Sequence, residues 1–278
     1  MDKPQHPLYS AEVTREKLIN DVRKDMSGKK NRFPQLYWII TLALLIGIWQ
    51  LAAVHIHFAL LMPSPWSTFK ALLQSVADPK ILIALLITLK RVGIGFAVAC
   101  LIGISLGYLM GYSKTILRFL DPLTNSVRLI PIMAWVPLTI VWFGLGDGPT
   151  IFLIAFAGLF SIMLSTISGV HDISADYYNA ARSLGAGRLS IFTHVVIPGS
   201  LPSVLTGMRI GLGGGWMSVI CAEFIATSSG FGHEMVYAET MLETNKLIAL
   251  MILSGLVGFT IDRGMLLLSR KVIKWKNS

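Results

Sequence analysis

The feature that most limits this chain is a series of apolar runs, each long enough to cross a bilayer. A helix rising 1.5 Å per residue needs about 20 apolar residues to span the hydrocarbon core. The first run is Gln35–Val54, "QLYWIITLALLIGIWQLAAV". The second is Val92–Gly111, with a start as early as Ile81 left open. The third, Ser126–Gly144, is interrupted by Pro131 and Pro137. The fourth is Thr150–Val170, the fifth the glycine-rich Ser200–Ala226, and the sixth Lys246–Ser269. Only 14% of the 278 residues are charged, against roughly a quarter in soluble domains. The expected fold class is therefore an all-α polytopic membrane protein with six transmembrane helices.

Six crossings put both termini on one side, and the basic residues say which. Residues 1–34 hold eight Lys/Arg and five Asp/Glu and have no early apolar stretch, unlike a cleavable signal. With Lys114, Arg118, Arg128, Arg182, Arg188, Arg270, Lys271, Lys274 and Lys276 they bring seventeen basic residues to one side. Lys70, Lys80 and Lys246 are the three on the other. Lys90, Arg91, Arg209 and Arg263 lie within or beside spans and are left out of the tally. The bias predicts cytoplasmic termini and a cytoplasmic loop at about 171–198. The chain divides into a cytoplasmic basic segment, 1–34, and a transmembrane domain, 35–278. The net charge of +9 is then a property of cytoplasmic loops. No basic stripe interleaved with aromatics points to nucleic acid.

Two outer loops have their own character. "MPSPWSTFKALLQSVADP" carries Trp66, Phe69, Leu72, Leu73 and Val76 at helical spacing, which predicts an amphipathic helix at the interface. "GFGHEMVYAETMLETNK" carries Glu234, Glu239 and Glu243, the last two spaced to share a helix face. This acidic loop is either simply solvated or a docking surface.

Within the spans, Gly103, Gly107 and Gly111 line one face, and Gly207, Gly211 and Gly215 line another. Small residues at this spacing let helix backbones approach closely. The contact is either packing within one chain or a homodimer seam. Pro131 and Pro137 bracket Trp135, with Trp142 beyond, so the third span reads as a kinked helix. It either walls a translocation path or is a bent packing helix. Arg209 lies about 13 Å into its span. An intramembrane arginine finds a partner or faces a water-filled cavity. Asp262 is a candidate partner for an ion pair, and an anion contact is the other role. Glu223, near the outer mouth, is too far along the same helix to pair with Arg209 and is a pathway candidate. Cys100 and Cys221 form no CxxC pair and read as small buried hydrophobes. No P-loop, catalytic nucleophile motif or metal-ligand spacing is present, so no catalytic or metal residue is assigned.

The loop "HDISADYYNAARSLGAGRLSIFTHVVIPGSLP" carries the most specific signal. Ser174 is placed to cap a short helix reaching Leu184, and Gly185 to end it in a left-handed conformation. A second amphipathic segment runs through Ile191, Phe192, Val195 and Val196 to Pro198. The small faces of Ala180 and Ala181 suit a partner that closes around the helix.

This loop resembles the EAA motif of permease subunits from ATP-binding-cassette importers: Glu-Ala-Ala, three residues, Gly, nine residues, then Ile-x-Leu-Pro. Here the slots hold Asn179-Ala180-Ala181, Gly185 and Val195-Val196-Ile197-Pro198. Asn stands for Glu, and Val and Ile stand for Ile and Leu. Further segments resemble the nitrate, taurine, aliphatic-sulfonate and bicarbonate branch. They include "LMPSP", "ITLKRVGIGF", "LDPLTNSVRLIPIMAWVPLTIVWFGLGD", "LTGMRIGLGGGW", "AEFIATSSGFG" and "GLVGFTIDR". The resemblance covers nearly everything after Pro34.

The resemblance implies a type I (MetI-like) importer fold and a homodimeric, multi-pass permease in the bacterial inner membrane. It implies cytoplasmic ATPase subunits that carry ATP and Mg, each gripping Asn179, Ala180, Ala181, Arg182, Gly185 and Pro198 of one loop. It also implies a periplasmic or lipid-anchored solute-binding protein delivering a small anion. The chain itself is then no enzyme and holds no cofactor. The rival class is an ion-coupled secondary transporter, for which inverted repeats and midplane carboxylates are expected.

Overall fold

The computed structural model describes residues 34–273 apart from His57 and Ala59. The basic segment expected over 1–34 and the tail lysines Lys274 and Lys276 thus lie almost entirely outside the described residues. All regular elements among the described residues are helices. The first, α1 (Pro34–Ile56), is apolar along its whole length and forms a unit by itself. The second unit starts at Phe58 and contains every other element.

That unit opens with α2 (Pro65–Ala77), capped by Ser64, whose Oγ accepts the Ser67 N–H at 3.2 Å. The amphipathic helix expected here forms, with its polar side inward. Thr68 and Ser75 are buried, while Trp66, Phe69, Leu73 and Val76 face outward. A helix presenting its apolar stripe outward suits a lipid interface.

α3 (Pro79–Tyr112) has 34 residues and starts close to the early limit at Ile81 that the sequence left open, 13 residues ahead of Val92. Lys90–Arg91 does not end it, because Arg91 is buried and paired, as described below. α4 (Lys114–Arg128) and α5 (Ile132–Phe143) meet at a 95° bend. α6 (Asp147–His171) follows, then the short α7 (Ala175–Ser183) and α8 (Arg188–Ile191). A π-helical turn, Phe192–Val196, leads into α9 (Ile197–Ala226), and α10 (Phe231–Thr240) and α11 (Thr244–Val272) complete the unit.

The bend corrects the expectation of one kinked third span. Pro131 does not sit inside a helix; it precedes α5, with φ −56° and ψ 134°. A proline drives the residue before it out of helical conformation, so the chain breaks at 129–131. Pro137 lies inside α5.

α6 is the central post, and both glycine stripes close on it within the chain. Gly95, Gly103, Gly107 and Gly111 of α3 lie against Ile154, Ile162, Thr166 and Val170. Gly207, Gly211 and Gly215 of α9 lie against Ser165, Gly158 and Ile154. A Cβ at Gly211 would stand 2.8 Å from the Gly158 carbonyl oxygen, and one at Gly107 3.0 Å from that of Met163. Side chains larger than hydrogen would push the helices apart.

These pairings also give direction. Residue numbers rise together along α3 and α6, so the two run parallel; along α9 they fall, so α9 is antiparallel to α6. Two parallel neighbours require the intervening chain to return across the layer. Neither α4, at about 22 Å, nor α5, at about 18 Å, is long enough alone. With a bend of 95° between them, they reach about 27 Å end to end, close to the hydrocarbon thickness of about 30 Å. Among the described residues five helices are long and apolar enough to cross by themselves, and with the bent pair taken as one broken span the crossings number six.

Candidate functional site

The connection between α6 and α9 is built from its sequence as follows. The Ser174 side chain accepts the Asp176 N–H at 3.3 Å and starts α7. At the other end Gly185 adopts φ +79°. The Ala186 N–H bonds the Ala181 carbonyl at 3.0 Å and the Gly185 N–H that of Arg182 at 2.9 Å, a Schellman closure. Pro198 is the second residue of α9 and follows directly on the π-helical turn, whose Ile197 N–H bonds the Phe192 carbonyl.

The two alanines differ from the expectation of a shared face. Ala181 turns inward, packed with Tyr178, Ala186 and Phe192 around the buried Val170, Ile191 and Val196. Asn179, Ala180 and Arg182 face outward. They are joined by residues the sequence did not single out: Tyr177, Leu189 and Leu184, the last 88% exposed. Their signal was available, since large apolar residues in a charged loop invite a partner. α7 is thus fastened by one side and presents the other. Burial and the neighbouring Tyr112 push the Tyr178 phenol above its ordinary value, so it stays protonated.

At the opposite end of α6 lies a buried network that sequence reasoning missed. Arg91 on α3 donates from Nη1 to Glu223 Oε1 at 2.6 Å and from Nε to Asp147 Oδ1 at 2.8 Å. Nη1 also reaches the Ser229 carbonyl at 2.8 Å, and Nη2 the Ser229 hydroxyl at 2.9 Å. Glu223, expected to face the pathway, is 0% exposed. Its second oxygen accepts the Gly232 N–H at 2.8 Å. Thr88 Oγ1 lies 2.8 and 2.9 Å from the two carboxylate oxygens and accepts the Phe231 N–H at 2.8 Å. Gly230, at φ +107°, passes so close that any Cβ would collide with the carboxylate. The network ties α3, α6, α9 and the turn into α10 at one point.

Arg209 and Asp262 join α9 to α11. Nε donates to Oδ1 at 2.6 Å and Nη2 to Oδ2 at 2.7 Å, with both side chains 38% exposed. One edge of the guanidinium, with its Nε and Nη2 donors, is thereby occupied.

The aromatic residues form a row. Phe152, Phe156 and Phe160 follow one another along α6 with centroids 5.8 and 5.1 Å apart, the first pair stacked and the second edge-to-face. Trp135 lies 4.7 Å from Phe156, and Trp142 5.9 Å from Phe152. Trp135 Nε1 is buried without a partner. Pro131, Pro137 and Trp142 are exposed along α5.

The outer acidic loop also departs from expectation. Glu234 is buried and pairs with Lys80 at 3.1 Å. α10 ends at Thr240 and Leu242 takes φ +58°, so Glu239 and Glu243 share no helix face. Glu243 instead pairs with Lys246 at 3.4 Å.

Comparison with known proteins gives four findings. Residues 99–274 match the family model described as "binding-protein-dependent transport system inner membrane component". A putative ABC transporter permease protein of Methanocaldococcus jannaschii is 38% identical over 91% of this chain and 97% of its own. The taurine transport system permease protein of Escherichia coli is 34% identical over 84% of this chain and 88% of its own. Among solved structures, a chain of the inward-facing MetNI methionine ABC transporter superposes with a TM-score of 0.61 at 19% identity. The superposition covers 69% of this chain and 96% of that one.

Proposed function

This chain belongs to the family of binding-protein-dependent transport system inner membrane components, and on that premise we propose that two copies enclose a path for a small anion. It is the membrane-spanning permease subunit of an ATP-binding-cassette importer, and ATP hydrolysis belongs to a separate subunit. The anion is of the taurine, alkanesulfonate, nitrate or bicarbonate class; the taurine relative supports this choice. A solute-binding protein, periplasmic or lipid-anchored, delivers it. The termini and α7 face the cytoplasm of a bacterial cell, a reading the basic bias supports, with residues 1–34 forming a cytoplasmic segment ahead of the permease domain.

The observation that carries the coupling role is the two-sided build of α7. Its inner side is fastened through Ala181 to the ends of α6 and α9. Its outer side offers Tyr177, Asn179, Ala180 and Leu184, which seat in a groove of the ATPase. ATP and Mg bind on that partner, and closure of the ATPase pair displaces α7. The displacement reaches α6 and α9 directly, because backbones in contact at Gly158 and Gly211 cannot shear past each other cheaply. Movement of α6 carries the row Phe152–Phe160 and its neighbours Trp135 and Trp142 on α5. The exposed face of α5, with Pro131, Pro137 and Trp142, lines the path. Arg209 acts first as the ion-pair partner of Asp262, and its remaining donors are the ones an anion can reach.

The test is ATPase activity of the reconstituted complex with binding protein loaded with each anion in turn. Stimulation by one of the four is expected. Stimulation by none of them, but by a neutral or cationic solute, would overturn the anion assignment. Uptake that proceeds without ATP would return the rival secondary-transporter reading.

A further inference from the structure

Two hollows meet at the end of α3 that adjoins α7. One is a polar cleft of about 900 Å³ whose rim carries Lys114, Arg182 and Arg188, with Ser113 and Tyr178 beside them. The other is an apolar groove of about 800 Å³ walled by Ile104, Tyr108, Leu109, Ile116 and Phe192. They share Tyr112, Ser113 and Arg188, so they form one continuous depression. None of the three cationic side chains has a carboxylate partner among the described residues. We propose that this depression binds one anionic phospholipid of the cytoplasmic leaflet, its phosphate between Lys114 and Arg188 and an acyl chain along α3.

The shape and the charge select this occupant together. Ile104 to Tyr112 covers about 12 Å of helix, so the apolar part descends from the membrane surface toward the bilayer interior. The cations stand at the end where the headgroup would lie. A free anion would satisfy the cleft and leave the apolar groove empty. A second copy meeting this face about a two-fold axis would set its three cations against their own duplicates, which is repulsive. Tyr178, held in its protonated form, adds a hydroxyl donor for a phosphate oxygen. The proposal rests on the reading that α7 is cytoplasmic.

The test uses the intact complex in nanodiscs containing equal phosphatidylglycerol and phosphatidylcholine, followed by mild detergent extraction and mass spectrometry of retained lipid. Wild type should retain phosphatidylglycerol preferentially. Lys114→Gln with Arg188→Gln should reduce that preference by up to roughly thirtyfold, as two near-surface cations are lost. Leu109→Trp, which fills the groove, should reduce retention without changing the charge. Soluble sn-glycerol 3-phosphate should not displace the lipid. An unchanged preference in the charge variant would overturn the proposal. Displacement by glycerol phosphate would make it a free-anion site, and cross-linking of Leu109→Cys between two copies would make it a subunit contact; either result also overturns it. ATPase co-purification is scored on the same samples. Failure of the coupling reading therefore appears as loss of the ATPase from wild type, separately from the lipid ratio.

Discussion

Arg91 and Glu223 form the kind of buried ion pair whose value lies in being complete. Desolvating both charges offsets most of their attraction, but removing one partner leaves the other stranded, at a cost of about 3–5 kcal/mol. Arg91→Met and Glu223→Leu should each sharply lower the thermal stability of the purified permease, and the double variant should recover much of the loss. A double variant as unstable as the sum of the singles would refute the pairing. The same logic separates the roles of Arg209. If it serves Asp262 alone, Arg209→Gln and Asp262→Asn should impair stability alike, and combining them should add little. A transport defect in Arg209→Gln that Asp262→Asn does not share would point to the anion. Asp262 was legible in the sequence as a partner because two intramembrane charges of opposite sign on neighbouring spans seek each other. Arg91 was not. It stands beside Lys90 at what looked like the edge of an apolar run, and its partners lie 56 and 132 positions away. Glu223 was noticed for its position and assigned to the pathway, since nothing in a linear sequence tells a carboxylate closed in by a backbone turn from one facing water.

At the scale of the element, α7 was the most legible part of the chain. The Ser174 cap and the left-handed Gly185 both follow from local chemistry that the sequence states outright. Which alanine faces the partner was not legible, because a nine-residue helix has no hydrophobic stripe long enough to orient it. The inward turn of Ala181 yields a sharp expectation. Ala180→Arg should release the ATPase from an intact permease, measured by co-purification from solubilised membranes. Ala181→Arg should instead disturb the cluster around Ile191 and Val196 and lower the yield of folded permease itself. Forcing extra volume into a packed site costs about 1–3 kcal/mol. Equal effects of both substitutions on ATPase binding, at equal permease yield, would refute the two-sided build. Gly185→Val should weaken ATPase binding through the helix end, since a β-branched residue tolerates φ +79° poorly although space is open around it. The α4–α5 break was half legible: its prolines are in the sequence, but a 95° corner and a gentle kink share the same residues.

At the scale of the whole molecule, the parallel course of α3 and α6 decides the path of the chain. Both run toward the α7 end, so α4 and α5 together must return it, and α9 and α11 then cross in opposite directions. Arg209–Asp262 and the contact of Gly258 with Trp216 show α9 and α11 antiparallel. α7, the start of α4 and the end of α11 therefore share one face, while α2, Asp147 and α10 share the other. In the orientation proposed above, which rests on the basic bias of the sequence, the first face is the cytoplasmic one. Single cysteines test this in intact cells, in a background where Cys100 and Cys221 are replaced by alanine. A membrane-impermeant thiol reagent added outside should label Glu239→Cys and Ser67→Cys and leave Leu184→Cys and Lys114→Cys unreacted. Permeabilisation should expose the last two. External labelling of Leu184→Cys would invert the molecule and remove α7 from any cytoplasmic ATPase. External labelling of Lys114→Cys alone, with Leu184→Cys protected, would instead break the link between the parallel helices and the return through α4 and α5. The topology and the coupling role thus stand on separate positions in one experiment.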